Sequence, residues 1–137
     1  MSTAAILAAF GLAGLALFQA ALALGAPLGH AAWGGADAQL PTPQRVGTGI
    51  AVIVWSLAAL VVLECAGLLG RSEPRSFARW GAWSIAAVCG VSALANFASG
   101  SVYENVLLGP LALVLAVLCG IVAWSARIRT TSTSRGS

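Results

Sequence analysis

The sequence predicts an all-α protein, an integral membrane four-helix bundle with both termini in the cytoplasm. Of its 137 residues, 59% are hydrophobic and only 8% are charged, and the mean hydropathy is +0.92. A soluble core of this size has no room for so many apolar side chains, whereas a bilayer solvates them. Four segments of low charge reach the roughly 20 residues that a helix needs to cross the hydrocarbon layer. These segments are about 4–26, 47–69, 80–98 and 106–126.

Small residues recur every four positions in the first, third and fourth segments. Residues four apart lie on one helix face, and small side chains let helix backbones approach closely in lipid. The residues are Ala5, Ala9, Ala13, Ala82, Ala86, Gly90, Ala112, Ala116 and Gly120. The first segment lacks the basic start of a secretory signal peptide, so we expect it to be retained as a helix. Residues 1–126 then form one four-helix domain, and the Ser/Thr/Arg-rich residues 127–137 are predicted to be a disordered cytoplasmic tail.

The arginines predict how the bundle is oriented. Six of the seven lie in the second connection or in the tail, at Arg71, Arg75, Arg79, Arg127, Arg129 and Arg135. The first connection carries only Arg45, and the third carries none. Because cationic residues favour the cytoplasmic side of a membrane, the second connection and both termini are predicted to be cytoplasmic and the other two loops outward. Arginines confined to membrane ends indicate contact with lipid headgroups and argue against a nucleic-acid partner.

The two outward loops and the nearby helix ends hold most of the polar residues with chemical potential. His30 and Glu104 are candidate catalytic residues, since a histidine near a carboxylate is suited to proton transfer. The candidate ligand-binding residues are Trp33, Asp37, Asn96, Tyr103 and Gln19. Together they predict a mouth that holds a polar head while an apolar tail enters the bundle. The alternative is ordinary anchoring at the interface, where tryptophan and tyrosine are common.

Glu64 is the one acid inside a predicted span, about five residues from its cytoplasmic end. An ionised carboxylate at that depth is costly, so we expect it to be protonated or paired. Arg79 and Arg127 end neighbouring segments on the same side and are its candidate partners. A structural ion pair and a catalytic or proton-coupled acid both remain open, which makes Glu64 a third catalytic candidate.

No cofactor and no metal site are predicted. Cys65, Cys89 and Cys119 lie one per segment and form no C-x-x-C pair, so they are interpreted as small packing residues. One histidine and scattered thiols do not make a cluster of metal ligands.

The loop sequence carries a family resemblance. Its motifs are Gly29-His30-Ala31-Ala32-Trp33-Gly34-Gly35, then Pro41, and Gly109-Pro110-Leu111 at the start of the last segment. The resemblance covers nearly the whole chain. The pattern resembles an uncharacterised family of small four-helix bacterial integral membrane proteins, in which an aromatic-Gly-Gly loop follows the first helix. The resemblance implies the fold and a location in the bacterial cytoplasmic membrane, and it implies no activity.

Three functions fit these observations. The first is a membrane protein that binds an amphipathic or apolar small molecule at an outward-facing mouth. The second is a membrane-embedded isomerase, cyclase or epoxide-opening hydrolase that uses a buried carboxylate. The third is an accessory subunit, in which the alanine faces dock onto a larger membrane complex or a second copy. Membrane lipid is an expected partner in all three cases.

Overall fold

A computed structural model describes residues 1–70 and 76–133 of the chain. Over these residues the protein is all-helical, with four long helices: α1 (Ser2–Ala23), α2 (Thr42–Cys65), α3 (Ser76–Phe97) and α4 (Gly109–Thr133). A π-helical turn, Glu104–Leu108, leads directly into α4. All four helices are long and apolar enough to cross a membrane. The predicted helical class with four candidate spans is therefore confirmed, and it indicates an integral membrane protein.

The helices pack around a core built largely of alanine. The pair α1 and α2 and the pair α3 and α4 share the most extensive contacts, and α1 with α4 and α2 with α3 complete the arrangement. Gly11 of α1 lies against Leu115 of α4, where an added Cβ would come within 2.6 Å of Leu115 Cδ2. An added Cβ at Gly81 of α3 would come within 2.8 Å of Val61 Cγ1 of α2. Small residues therefore bring the backbones together, as packing in lipid requires.

The outer surface is covered by large apolar side chains. Phe10 is 82% exposed, and Leu17, Val91 and Leu94 are also well exposed. Aliphatic and aromatic groups spread over all four helices make a surface suited to hydrocarbon rather than to water.

The helix ends differ from the predicted segments in both directions. α2 begins at Thr42 rather than near residue 47, because Pro43 lies in its first turn, where the missing N–H is no loss. α1 ends at Ala23 rather than near residue 26, since Gly25 adopts a φ of +92° and leaves the helical path. Hydropathy marks the depth of the membrane, whereas backbone hydrogen bonding decides where a helix ends.

The last helix extends into the predicted tail. α4 continues to Thr133, and disorder of the tail stays a prediction. Arg127 and Ile128 continue an alanine-rich helix without a glycine or a proline to end it. Residues 71–75, with Arg71 and Arg75, and residues 134–137, with Arg135, lie outside the described residues.

Candidate functional site

The connection between α1 and α2, residues 24–41, is a folded loop held together at its base. Arg45, in the first turns of α2, donates from Nε to the carbonyl of Ala23 at 3.0 Å. A guanidinium suits this position, because the last carbonyls of a helix carry partial negative charge. Within the loop, the N–H of Gly29 donates to the carbonyl of Ala38 at 2.9 Å and closes a smaller ring. We call residues 24–41 the mouth loop.

The tip of the mouth loop is a short left-handed turn. Trp33, Gly34 and Gly35 have φ values of +55°, +81° and +75°. Trp33 is the one residue other than glycine with a positive φ in the described part of the chain. This conformation costs an ordinary side chain of order 1 kcal/mol or more, so neighbouring contacts must hold it in place. One of these contacts is a hydrogen bond from the imidazole Nδ1 of His30 to the carbonyl of Gly35, 2.9 Å long.

Glu104 holds the turn from the opposite loop. Its side chain is buried, although it is a carboxylate. Oε1 accepts a hydrogen bond of 3.2 Å from the N–H of Gly34, and Oε2 accepts one from the hydroxyl of Ser99. The Ser101 hydroxyl adds a second link between the loops by donating to the carbonyl of His30 at 2.6 Å. The mouth loop and the connection after α3 are thereby joined through buried polar groups.

The sequence Ser101-Val102-Tyr103-Glu104 is a capping box that has been partly redirected. In a complete box the serine hydroxyl accepts from the backbone N–H of the glutamate, and the glutamate side chain accepts from the backbone N–H of the serine. Here the Glu104 N–H lies 3.4 Å from the Ser101 Oγ. The Ser101 N–H donates instead to the Ser99 Oγ at 3.1 Å. The carboxylate is thus released to reach Gly34 and Ser99.

Glu104 also opens the π-helical turn that precedes α4. The Asn105 amide steadies this turn by donating to the carbonyls of Ser99 and Ser101, at 2.6 and 3.2 Å. A π turn places one extra residue in the helix and is frequent at functional sites. It turns Glu104 toward the space enclosed by the helices.

A cavity of about 260 Å³ lies beneath the mouth loop. All four helices and the loop contribute to its lining: Leu15, Phe18, Gln19, Ala32, Trp33, Trp55, Cys89, Ser92, Ala95, Asn96, Glu104, Leu108 and Ala112. Asn96 and Cys89 are seven residues apart on α3, so the lining runs about 10 Å along the helix. Glu104 and Asn96 lie at the loop end, and the deeper lining is mostly apolar.

Gln19 is the unsatisfied polar group of this cavity. Its Oε1 is buried and has no hydrogen-bond partner. A buried amide oxygen without a donor costs free energy of order 1–3 kcal/mol. The side chain therefore offers an acceptor to any molecule that enters.

The structure brings together four of the residues predicted for the mouth and separates the other three. Gln19, Trp33, Asn96 and Glu104 line the cavity. His30 and Tyr103 line a separate shallow depression with Gly34, Gly35 and Gly100 to Val102. Asp37 is exposed and lines neither space.

The predicted proton-transfer pair is not assembled inside the cavity. The His30 imidazole is exposed and bonded to the Gly35 carbonyl, so it does not share the cavity with the Glu104 carboxylate. The loops that carry His30 and Glu104 are joined instead by two hydrogen bonds. Ser101 donates to the His30 carbonyl, and the Gly34 N–H donates to Glu104.

Several residues of the candidate site were not predicted from the sequence. Ser99 and Ser101 hold the two loops together, while Phe18, Trp55 and Ser92 line the cavity. The capping-box spacing of Ser101 and Glu104 was the available signal for the first pair. The lining residues have no local signal, since apolar residues in a membrane helix look alike whichever way they face.

Glu64 lies at the other end of the protein. It is one residue from the end of α2, whereas the mouth loop precedes the start of that helix. Its Oε1 is buried and has no hydrogen-bond partner among the residues that the structure describes. At the same end, the Arg127 guanidinium lies 5.8 Å from the centre of the Trp124 ring, a cation–π contact. Pairing of Glu64 with Arg79 or Arg127 stays a prediction.

The fold and the site together define a class: a small helical membrane protein with a closed loop over a polar-tipped cavity. No protein-family model matches the chain, and no curated protein or solved structure is similar to it. The family resemblance of the loop sequence therefore stays a prediction, and the cavity is the feature that bears on function.

Proposed function

We propose that this chain is a small integral membrane protein that binds an amphipathic or apolar small molecule in the cavity beneath the mouth loop. The observation that carries the proposal is the buried, unpartnered Oε1 of Gln19 in a largely apolar cavity. Ligand sites combine apolar walls with a few placed polar groups, and typical volumes begin at about 300 Å³. A cavity of about 260 Å³ suits a compact molecule or the end of a longer one.

The contacts of the acids favour binding over catalysis. Both carboxylate oxygens of Glu104 accept hydrogen bonds from the loops, so its first role is to hold the mouth together. Glu64 lies at the far end of α2, away from the cavity. Glu104 lines the cavity but is engaged in holding the loops, and Glu64 lies outside the cavity, so the placement of the acids supports binding more than an isomerase, cyclase or hydrolase.

The proposal includes an orientation. The four helices form a bundle in a bacterial cytoplasmic membrane, as the family resemblance implies. The distribution of arginines favours cytoplasmic termini and an outward mouth loop. Arg79 and Arg127 are at the end opposite the mouth loop, where cationic side chains meet the cytoplasmic leaflet. Arg45, the single arginine at the loop end, caps α1 through the Ala23 carbonyl. Its charge is used for helix capping.

A cysteine at position 38 tests this orientation. Ala38 is exposed near the end of the mouth loop, so the thiol in Ala38→Cys will be open to solvent on one side of the membrane. We expect a membrane-impermeant maleimide to label the variant in intact cells. Wild-type protein is the control, because Cys65, Cys89 and Cys119 are at most 1% exposed and will stay unlabelled.

Labelling of Ala38→Cys in inverted vesicles but not in intact cells would show that the mouth faces the cytoplasm. That result would overturn the orientation and leave the cavity in place.

A cavity-filling substitution tests ligand binding. We would use the protein in phosphatidylcholine nanodiscs and a diazirine-bearing analogue of octanol, with adducts mapped by mass spectrometry. Wild-type protein is expected to carry adducts on cavity residues. Ser92→Leu adds apolar bulk to the lining and is expected to lower this labelling about tenfold, equivalent to about 1.4 kcal/mol of affinity.

Ser84→Leu is the matched control. Ser84 lies two turns earlier on α3, is exposed and does not line the cavity. The same substitution there should leave cavity labelling unchanged. Adducts spread evenly over the lipid-facing residues, with no effect of Ser92→Leu, would contradict the proposed function.

A further inference from the structure

We propose that the molecule bound in the cavity is a cationic amphiphile, an apolar body that carries an ammonium head. This inference rests on the proposed function and adds the chemistry of the ligand. It follows from the charge of the lining, from the acceptors left open at the loop end and from the aromatic walls.

The charge of the lining favours a cation. Among the described residues that line the cavity there is one carboxylate, Glu104, and there is no arginine or histidine. Glu104 is 7% exposed and accepts hydrogen bonds from a backbone N–H and a hydroxyl, both uncharged donors. Burying a carboxylate is costly unless a cation compensates it. An ammonium head would supply that charge, whereas a carboxylate or phosphate head would add repulsion.

The open hydrogen-bonding positions are acceptors. Gln19 Oε1 has no partner. A carboxylate offers about four lone-pair positions, and Glu104 uses two of them in its contacts with Gly34 and Ser99. An ammonium group brings three N–H donors and no acceptor, which matches this surplus.

The walls suit both parts of such a molecule. The lining includes the indoles of Trp33 and Trp55, and aromatic faces attract an ammonium group through their π electrons. Gly47 gives the Trp33 ring its place, since a Cβ there would lie 3.3 Å from the indole Cζ2. Deeper in the cavity, Leu15 and Leu108 offer apolar contact to an alkyl chain.

Competition among three probes of one chain length tests the head group. Octylammonium, octanol and octanoate would each compete with the diazirine probe for wild-type protein in nanodiscs at neutral pH. We expect octylammonium to displace the probe at about one tenth of the octanol concentration, with octanoate weaker still. This order requires no substitution, so it does not depend on how a variant folds.

Glu104→Gln separates the charge from the shape. The amide keeps a carbonyl acceptor for the Gly34 N–H but removes the negative charge. We expect the advantage of octylammonium over octanol, measured as the ratio of their competing concentrations on this same variant, to fall about tenfold. Asp37→Asn is the charge-matched control, because it removes a carboxylate that is exposed and outside the cavity. It should leave the advantage unchanged.

Each contrary outcome is distinct. Octanoate competing as well as octylammonium, or Asp37→Asn abolishing the preference, would overturn the cationic ligand while cavity labelling still supports the proposed function. Absence of cavity labelling in wild-type protein would overturn the proposed function itself.

Discussion

Alanine at position 29 is expected to destabilise the protein by about 3 kcal/mol, through overpacking and loss of a backbone hydrogen bond. Gly29 is buried where the mouth loop closes on itself. A Cβ there would lie 2.2 Å from the backbone carbonyl oxygen of Asp37 and 3.0 Å from that of Ala38. Backbone atoms cannot rotate away as a side chain can, so the segment at Gly29 and the segment at residues 37–38 must move apart. The separation would also break the Gly29 to Ala38 hydrogen bond.

Unfolding in mixed detergent micelles, followed by thiol labelling, measures this effect. The three native cysteines are buried, and a maleimide reaches them only when the helices separate. Gly100→Ala is the control, since a Cβ at Gly100 meets nothing within 4 Å and its φ is not positive. Equal stability of the Gly29 and Gly100 variants would show that the described loop closure is wrong.

Removal of the Glu104 side chain is expected to cost a similar amount, about 3 kcal/mol. Glu104→Ala would leave the Gly34 N–H and the Ser99 hydroxyl without their acceptor, and an unsatisfied buried group costs about 1–3 kcal/mol. It would also enlarge the cavity beneath the loop. The strained turn at Trp33 would lose one of its supporting hydrogen bonds, and unfolding followed by thiol labelling measures the cost.

Glu104→Gln is the informative comparison. It keeps the size of the side chain and an oxygen for the Gly34 N–H, so it should recover most of the stability lost in Glu104→Ala. If the two variants are equally unstable, the negative charge rather than the hydrogen-bond geometry holds the loops. If neither is destabilised, the link between the loops does not contribute to stability.

The four helices could be predicted because bilayer thickness leaves a direct mark on sequence. A run of apolar residues long enough to cross the hydrocarbon layer has few alternatives to a helix, since its backbone polar groups must bond to one another. The exact ends of the helices were harder to predict. Pro43 and Gly25 set the nearby helix boundaries by local backbone geometry, and a hydropathy pattern does not report that geometry.

Some residues of the candidate site could be predicted from their type, whereas their contacts depend on the packed fold. Gln19, Asn96 and Glu104 could be predicted because polar groups near a membrane face are few and conspicuous. The contact of Glu104 with Gly34 joins residues seventy positions apart, and only the packed helices bring them together. The separation of His30 from the cavity follows from the left-handed turn at Trp33, which turns the Gly35 carbonyl toward the imidazole. Residue type alone does not reveal such a turn.

The hydrogen bond between Arg45 and the Ala23 carbonyl makes the mouth loop tolerant of changes in its length. Because the guanidinium joins α2 to the last carbonyl of α1, the two helices stay linked at this end by a contact that does not depend on the tip of the loop. Lengthening a flexible loop adds only about 0.6 kcal/mol of closure entropy for each doubling. We therefore expect short insertions after position 35 to change the shape of the mouth loop at a modest cost in stability, with the two helices still joined through Arg45.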